Sequence, residues 1–85
     1  MKIEEAIVGT RVRSLVNFAG VPKGTEGVID EEYLNGIGIM VAWDLPNQPL
    51  PRGYCRYDGI PAIKSNILRD GFEKGTELEF LEKVQ

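Results

Sequence analysis

Glycine and proline interrupt this chain at short intervals, and that spacing limits the length of any regular element. The 85 residues include 10 glycines and 5 prolines. Helix interiors disfavour both residues, whereas short strands joined by turns use them at their ends. The pattern therefore favours short strands over long helices. A chain of this length supports one small core, so we expect residues 1–85 to form a single domain.

Alternation of side chains predicts the individual strands. Residues 10–17 fit one strand, and residues 25–31 fit a second, in which Gly27 is expected to mark a bulge or a tight bend. The dipeptide at 35–36, Asn-Gly, is a strong hairpin signal because both residues tolerate positive φ. Residues 37–44 alternate most cleanly. The small residues on one face of this segment indicate a central strand that another layer approaches closely.

The two ends of the chain are less regular. Residues 1–8 fit a helical turn and an edge strand equally well. Residues 62–72 resume an ordered apolar pattern. Residues 76–84 fit a helix or a strand, and we favour a short closing strand because five strands can close a small barrel. The predicted core consists of Val12, Val16, Val28, Ile29, Ile37, Ile39, Val41, Trp43, Ile67, Leu68, Leu78 and Phe80.

Three short runs resemble an SH3-like small β-barrel. They are VGTRVR at 8–13, KGTEGVID at 23–30 and GIMVAWD at 38–44. The similarity is to KOW-type barrels and to small bacterial and phage SH3-like families of unassigned function. It covers residues 8–44 and implies an all-β, SH3-like barrel of about five strands. KOW relatives imply a role with RNA or the ribosome, whereas other SH3-like barrels imply peptide binding.

The composition excludes several kinds of catalytic site. The chain has no histidine and a single cysteine, Cys55. It therefore lacks the residues for Ser-His-Asp triads, Cys-His dyads, histidine metal sites and zinc sites with several cysteines. No glycine-rich phosphate loop precedes a helix. We expect a protein that is not an enzyme and needs no cofactor or metal, with Cys55 as an incidental thiol.

Charge and hydropathy predict where the protein works. No apolar run approaches the roughly 20 residues of a membrane-spanning helix, and no signal peptide opens the chain. We therefore expect a cytoplasmic monomer without membrane contact, of bacterial or phage origin by its resemblance. The net charge of −3 disfavours a general nucleic-acid binder. Positive charge is concentrated in residues 45–69, which hold four basic residues against Asp58 alone.

Residues 45–61 form the candidate binding element, named here the long loop. The segment holds four of the five prolines, which favours a stiff connector over a polyproline ligand. Its run RGYCRY at 52–57 alternates arginines, which bind carboxylates or phosphates, with tyrosines, which stack on bases or prolines. In the alternative interpretation, the tyrosines cover apolar surface of the barrel while the arginines stay solvated or paired.

The predicted function is a non-catalytic binding module that takes a protein partner. The alternative, from the KOW-like resemblance, is binding of RNA or single-stranded nucleic acid. The aromatic residue that closes the central strand belongs to this site as well as to the core. The predicted partner-binding residues are Trp43, Arg52, Tyr54, Arg56 and Tyr57. We also expect Asp44 to pair with Arg52 or Arg56, and the acidic run at 30–32 to be solvated surface rather than a cation site.

Overall fold

Five antiparallel strands form one curled, half-barrel sheet, which confirms the all-β prediction. The computed structural model describes residues 1–58 and 66–85. Neighbouring strands follow the order β4-β3-β2-β1-β5, which is compatible with an SH3-like barrel. The elements are β1 (Arg11–Ser14), β2 (Glu26–Tyr33), β3 (Gly38–Trp43), β4 (Arg69–Glu73) and β5 (Leu81–Lys83), with 3-10 helices at Ile3–Glu5 and Leu78–Phe80.

The hairpin between β2 and β3 is present where the Asn-Gly signal predicted it. Leu34, Asn35 and Gly36 have φ values of 52°, 55° and 85°, and the Gly36 amide donates to the Tyr33 carbonyl at 3.1 Å. Positive φ at both central residues is the geometry of a type I′ turn. β3 lies between β2 and β4, so it is an interior strand, although β2 is the middle strand of the five.

The ends of the chain contain short 3-10 helices. The segment at 1–8, which sequence left undecided, includes the helix Ile3–Glu5. The strand predicted for 76–84 was wrong in its first half, because that part contains the helix Leu78–Phe80 and only Leu81–Lys83 pairs with β1. The Glu77 amide donates to the Glu73 carbonyl at 2.9 Å, so a turn occupies the start of the segment.

One face of the sheet carries the main hydrophobic core. Six of the twelve predicted core residues are buried there, and Val28 and Ile67 are buried in a second cluster. Ile37 is 58% exposed because it lies in the hairpin loop and not in β3. Val16, Leu68 and Phe80 are only half-buried. The core also includes residues that the alternation did not reveal: Ala6, Val21, Leu45, Phe72 and Leu81.

The opposite face of the sheet is covered by the long loop, as the small residues of β3 predicted. Val28, Ala42 and Ile67 form a second buried cluster, and Leu50 and Tyr54 of the loop pack against it. The contact needs a small side chain at Ala42, because a larger one would push the loop away from the sheet. This second layer holds the candidate site.

Candidate binding surface on the long loop

The long loop begins with a tight turn that returns the chain to the sheet. Leu45 and Gln48 exchange backbone hydrogen bonds of 3.4 and 3.1 Å. The Leu50 amide then donates to Asp44 Oδ1 at 2.9 Å. Asp44 therefore caps the loop backbone. The predicted ion pair between Asp44 and an arginine of the loop is absent from the residues that the structure describes.

A second turn places Arg52 at an exposed corner. The Tyr54 amide donates to the Pro51 carbonyl at 3.0 Å, and Gly53 has a φ of +78°. A hydrogen bond from residue four to residue one, with positive φ only at the third position, defines a type II turn. Glycine is the residue that tolerates the left-handed third position of this turn. Pro51 lies at the first position, outside the two central residues, so Gly53 is the local determinant of the turn.

Tyr54 anchors the loop to the sheet. Its ring packs on the cluster of Val28, Ala42 and Ile67, and its hydroxyl donates to Asp30 Oδ2 at 2.5 Å. Burial, together with the hydrogen bond to the Asp30 carboxylate, raises the pKa of the Tyr54 hydroxyl. The hydroxyl therefore stays protonated, and keeps donating to Asp30, well above neutral pH.

Asp30 reaches this position because β2 contains a bulge. The pairing of β2 with β3 shifts between Ile29 and Glu31, so the bulge lies at Asp30. Gly27, where a bulge or a tight bend was predicted, pairs in register with Trp43. The extra residue directs the Asp30 carboxylate under the loop, where its side chain has no exposed surface. The prediction that the acidic run at 30–32 is solvated surface was therefore wrong for Asp30.

Arg69 of β4 neutralises the buried carboxylate. Its Nε donates to Asp30 Oδ2 at 2.8 Å and its Nη2 to Asp30 Oδ1 at 2.7 Å. The same Nη2 donates to Glu31 Oε1 at 2.7 Å. Desolvation acts to lower the pKa of Arg69, but the hydrogen bonds to Asp30 and Glu31 outweigh it and raise that pKa. The guanidinium is only 4% exposed, so it is a structural cation.

Tyr57 provides the last described anchor of the loop. Its amide donates to the Asp30 carbonyl at 2.9 Å, and its ring centroid lies 4.9 Å from Cζ of Arg69. This distance is typical of a cation–π contact, which contributes about 0.5–2 kcal/mol. Leu50, Tyr54 and Tyr57 thus fix the loop at three points along its length.

Between these anchors, Arg52, Cys55 and Arg56 are exposed. Over residues 1–58 and 66–85, neither arginine takes part in an ion pair. The outward side of the loop therefore presents two guanidinium groups whose donors are available to a ligand. This arrangement brings together four of the five predicted site residues and separates them into two outward arginines and two anchoring tyrosines.

Trp43, the fifth predicted site residue, lies in the core. Its side chain has no exposed surface, and its ring is within 6.2 Å of the rings of Phe18 and Phe72. The indole Nε1 donates to Asp70 Oδ2 at 2.7 Å. The core assignment of Trp43 is confirmed. In this conformation the residue supports the sheet beneath the loop and presents no surface to a partner.

Sequence reasoning did not include Asp30 and Arg69 in the site. One signal was available: each charged residue follows an apolar pair, Val28-Ile29 and Ile67-Leu68. A charge at that place in a buried run must either point to solvent or find an opposite charge. In this fold, Asp30 and Arg69 form an ion pair with each other.

Further comparisons give no functional assignment. Among the described residues, no group of three or more acidic, cysteine or histidine side chains is placed to hold a metal ion. The same part of the chain contains no helix of the length and apolarity needed to cross a membrane. Comparison with protein-family models, curated proteins and solved structures finds no match to this chain.

Proposed function

We propose that this chain is an SH3-like, non-catalytic module that binds a protein partner through the outward side of the long loop. The observation that carries the proposal is the division of the loop into anchored and free side chains. Leu50, Tyr54 and Tyr57 are held against the sheet, while Arg52 and Arg56 face solvent without an ion pair among the described residues.

An anchored loop is an efficient binding surface. A partner that meets a disordered loop must order its backbone, at about 1–2 kcal/mol per residue. In this chain, hydrogen bonds to Asp30 and Asp44 already order the loop backbone when the domain folds. The arginines keep flexible side chains on a fixed backbone, so a partner needs to order only their side chains.

The positions of the two tyrosine rings of the loop favour a protein partner over nucleic acid. Single-stranded nucleic acid gains much of its affinity from bases that stack on exposed aromatic rings. Tyr54 packs on the sheet and Tyr57 lies against Arg69, and both side chains are half-buried, so each ring offers a base less than its full surface. The net charge of −3 also opposes a polyanion.

Differential capture tests the proposal. Wild-type protein, an Arg52→Gln/Arg56→Gln variant and a Lys23→Gln/Lys83→Gln variant would each be immobilised and exposed to lysate of the cells that make this chain. Each variant loses two positive charges at exposed positions, so the two variants have the same net charge. We expect one defined protein to be retained by the wild type and the lysine variant and lost with the arginine variant.

Two results would oppose this function. The first is the same set of proteins on all three baits, which would mean that the loop is not the contact surface. The second is retention that disappears after ribonuclease or deoxyribonuclease treatment, which would move the KOW-like alternative to first place. In that case, binding of short oligonucleotides should fall steeply with salt.

A further inference from the structure

We propose that the exposed arginine pair of the long loop recognises a carboxylate-bearing protein segment, a class of partner chemistry that goes beyond protein binding in general. This inference rests on the proposed function and on the same site. Arg52 and Arg56 lie on either side of the Tyr54 anchor, so both guanidinium groups belong to one fixed segment of backbone. A guanidinium is a planar fork of donors that fits a carboxylate or a phosphate in bidentate fashion.

The charges around the pair distinguish these two anions. Arg52, Arg56 and the structural Arg69 are the described cations of this surface, and Asp30, Glu31, Asp44 and Asp58 are the described carboxylates. Counted over the described residues, the surface therefore carries two outward cations but no net positive charge. A polyanion gains affinity from the summed field of many basic groups, which is missing here. The binding energy of two bidentate pairs, between Arg52 and Arg56 and carboxylates of a partner, depends much less on that field.

The network beneath the pair keeps the two arginines available. Arg69 holds Asp30 and Glu31, and Asp44 accepts from the Leu50 amide. Among the described residues, no carboxylate forms an ion pair with Arg52 or Arg56. The two guanidinium groups therefore keep their donors for a partner.

A peptide titration followed by amide NMR tests this chemistry. The probes are hexaglutamate, hexaglutamine, inorganic phosphate and a hexameric single-stranded RNA, each added to labelled wild-type protein at 50 mM and 200 mM salt. We expect hexaglutamate to shift the amides of residues 52–56 and to bind less tightly at the higher salt. We expect hexaglutamine to leave those amides in place, and phosphate and RNA to bind less tightly than hexaglutamate.

Matched variants sharpen the test. In Arg52→Gln/Arg56→Gln the dissociation constant for hexaglutamate should rise by about twofold to thirtyfold, the range expected for two exposed ion pairs. In Lys23→Gln/Lys83→Gln it should change by less than about twofold. All four positions are exposed, so both variants should retain the dispersed amide spectrum of the wild type.

Three outcomes would overturn the inference: no loop amide responds to hexaglutamate, the lysine variant weakens binding as much as the arginine variant, or RNA binds more tightly than hexaglutamate. These failures are separable from failure of the proposed function. If capture of the natural partner requires Arg52 and Arg56 but hexaglutamate does not bind, the function stands and the carboxylate chemistry is wrong. If capture is also independent of the arginines, both proposals fail.

Discussion

Replacing Arg69 by methionine should destabilise the domain more than any exposed substitution. The change removes three hydrogen bonds, two to Asp30 and one to Glu31, and the cation near Tyr57. Glu31 is 35% exposed and can be hydrated, but the Asp30 side chain has no exposed surface and, within residues 1–58 and 66–85, its carboxylate keeps only the hydroxyl of Tyr54. Breaking a buried pair in this way costs about 3–5 kcal/mol.

That loss is large for this chain. At about 0.05–0.15 kcal/mol per residue, a domain of 85 residues has a total free energy of unfolding of roughly 4–13 kcal/mol. The assay is urea unfolding followed by the fluorescence of Trp43, which is the single, buried tryptophan. With an m-value of about 1–1.5 kcal/mol/M, the midpoint should fall by roughly 2–5 M or the protein should be unfolded without denaturant.

A second variant separates an unpaired charge from lost packing. In Asp30→Leu/Arg69→Met both members of the pair become apolar, and such replacements are often neutral or stabilising. We therefore expect the double variant to be more stable than Arg69→Met alone, although it also removes the hydrogen bond from Tyr54. The reasoning is refuted if Arg69→Met stays within about 1 kcal/mol of the wild type, or if the double variant is the less stable of the two.

Three further predictions follow from single contacts. Burial and the hydrogen bond to Asp30 raise the pKa of the Tyr54 hydroxyl above its unfolded value of 10.0. The protonated hydroxyl therefore contributes fully to the free energy of unfolding below about pH 10. This contribution is lost as the pH rises above that value, at up to about 1.4 kcal/mol per pH unit. Alkaline unfolding curves of Tyr54→Phe should lack this slope, and equal slopes would contradict the assignment. Leu34 is 65% exposed with a φ of +52°. Because glycine accepts this φ without strain, Leu34→Gly should raise the free energy of unfolding by about 1 kcal/mol, measured from urea midpoints. A lower midpoint would show that packing of the Leu34 side chain stabilises the domain. A Cβ at Gly27 would lie 2.5 Å from the Ala42 carbonyl oxygen, so Gly27→Ala should cost about 1–3 kcal/mol and lower the melting temperature, and an unchanged melt would mean that β2 and β3 can separate freely.

Local signals explain why much of the fold was predictable. The β2–β3 turn lies at the Asn35-Gly36 signal, although its central residues are Leu34 and Asn35 and Gly36 comes directly after them. The alternation in β3 predicted both a core face with Val41 and a small-residue face with Ala42, and both are buried as expected. These features depend on neighbours in the chain, so the sequence displays them directly.

The bulge in β2 is a feature that side-chain alternation did not predict. Alternation assigns each residue to a face only while the register is regular, and the extra residue at Asp30 changes the face of everything after it. The partner of Asp30 is Arg69, 39 positions later, and β3 separates their strands. No local sequence pattern identifies two residues so far apart as partners. For this reason the acidic run at 30–32 was predicted to be solvated surface, although it includes the buried Asp30.

The sequence by itself determined that the chain folds as short strands and that the long loop carries arginines and tyrosines. It also supplied Gly53, whose positive φ the turn at Arg52 requires. Only the tertiary structure decided the roles within that composition. The sheet offers an apolar cluster and a buried carboxylate at the positions that Tyr54 and Tyr57 reach, so the tyrosines anchor the loop. It offers no acceptor to Arg52 and Arg56 among the described residues, and these two side chains are therefore left to a partner.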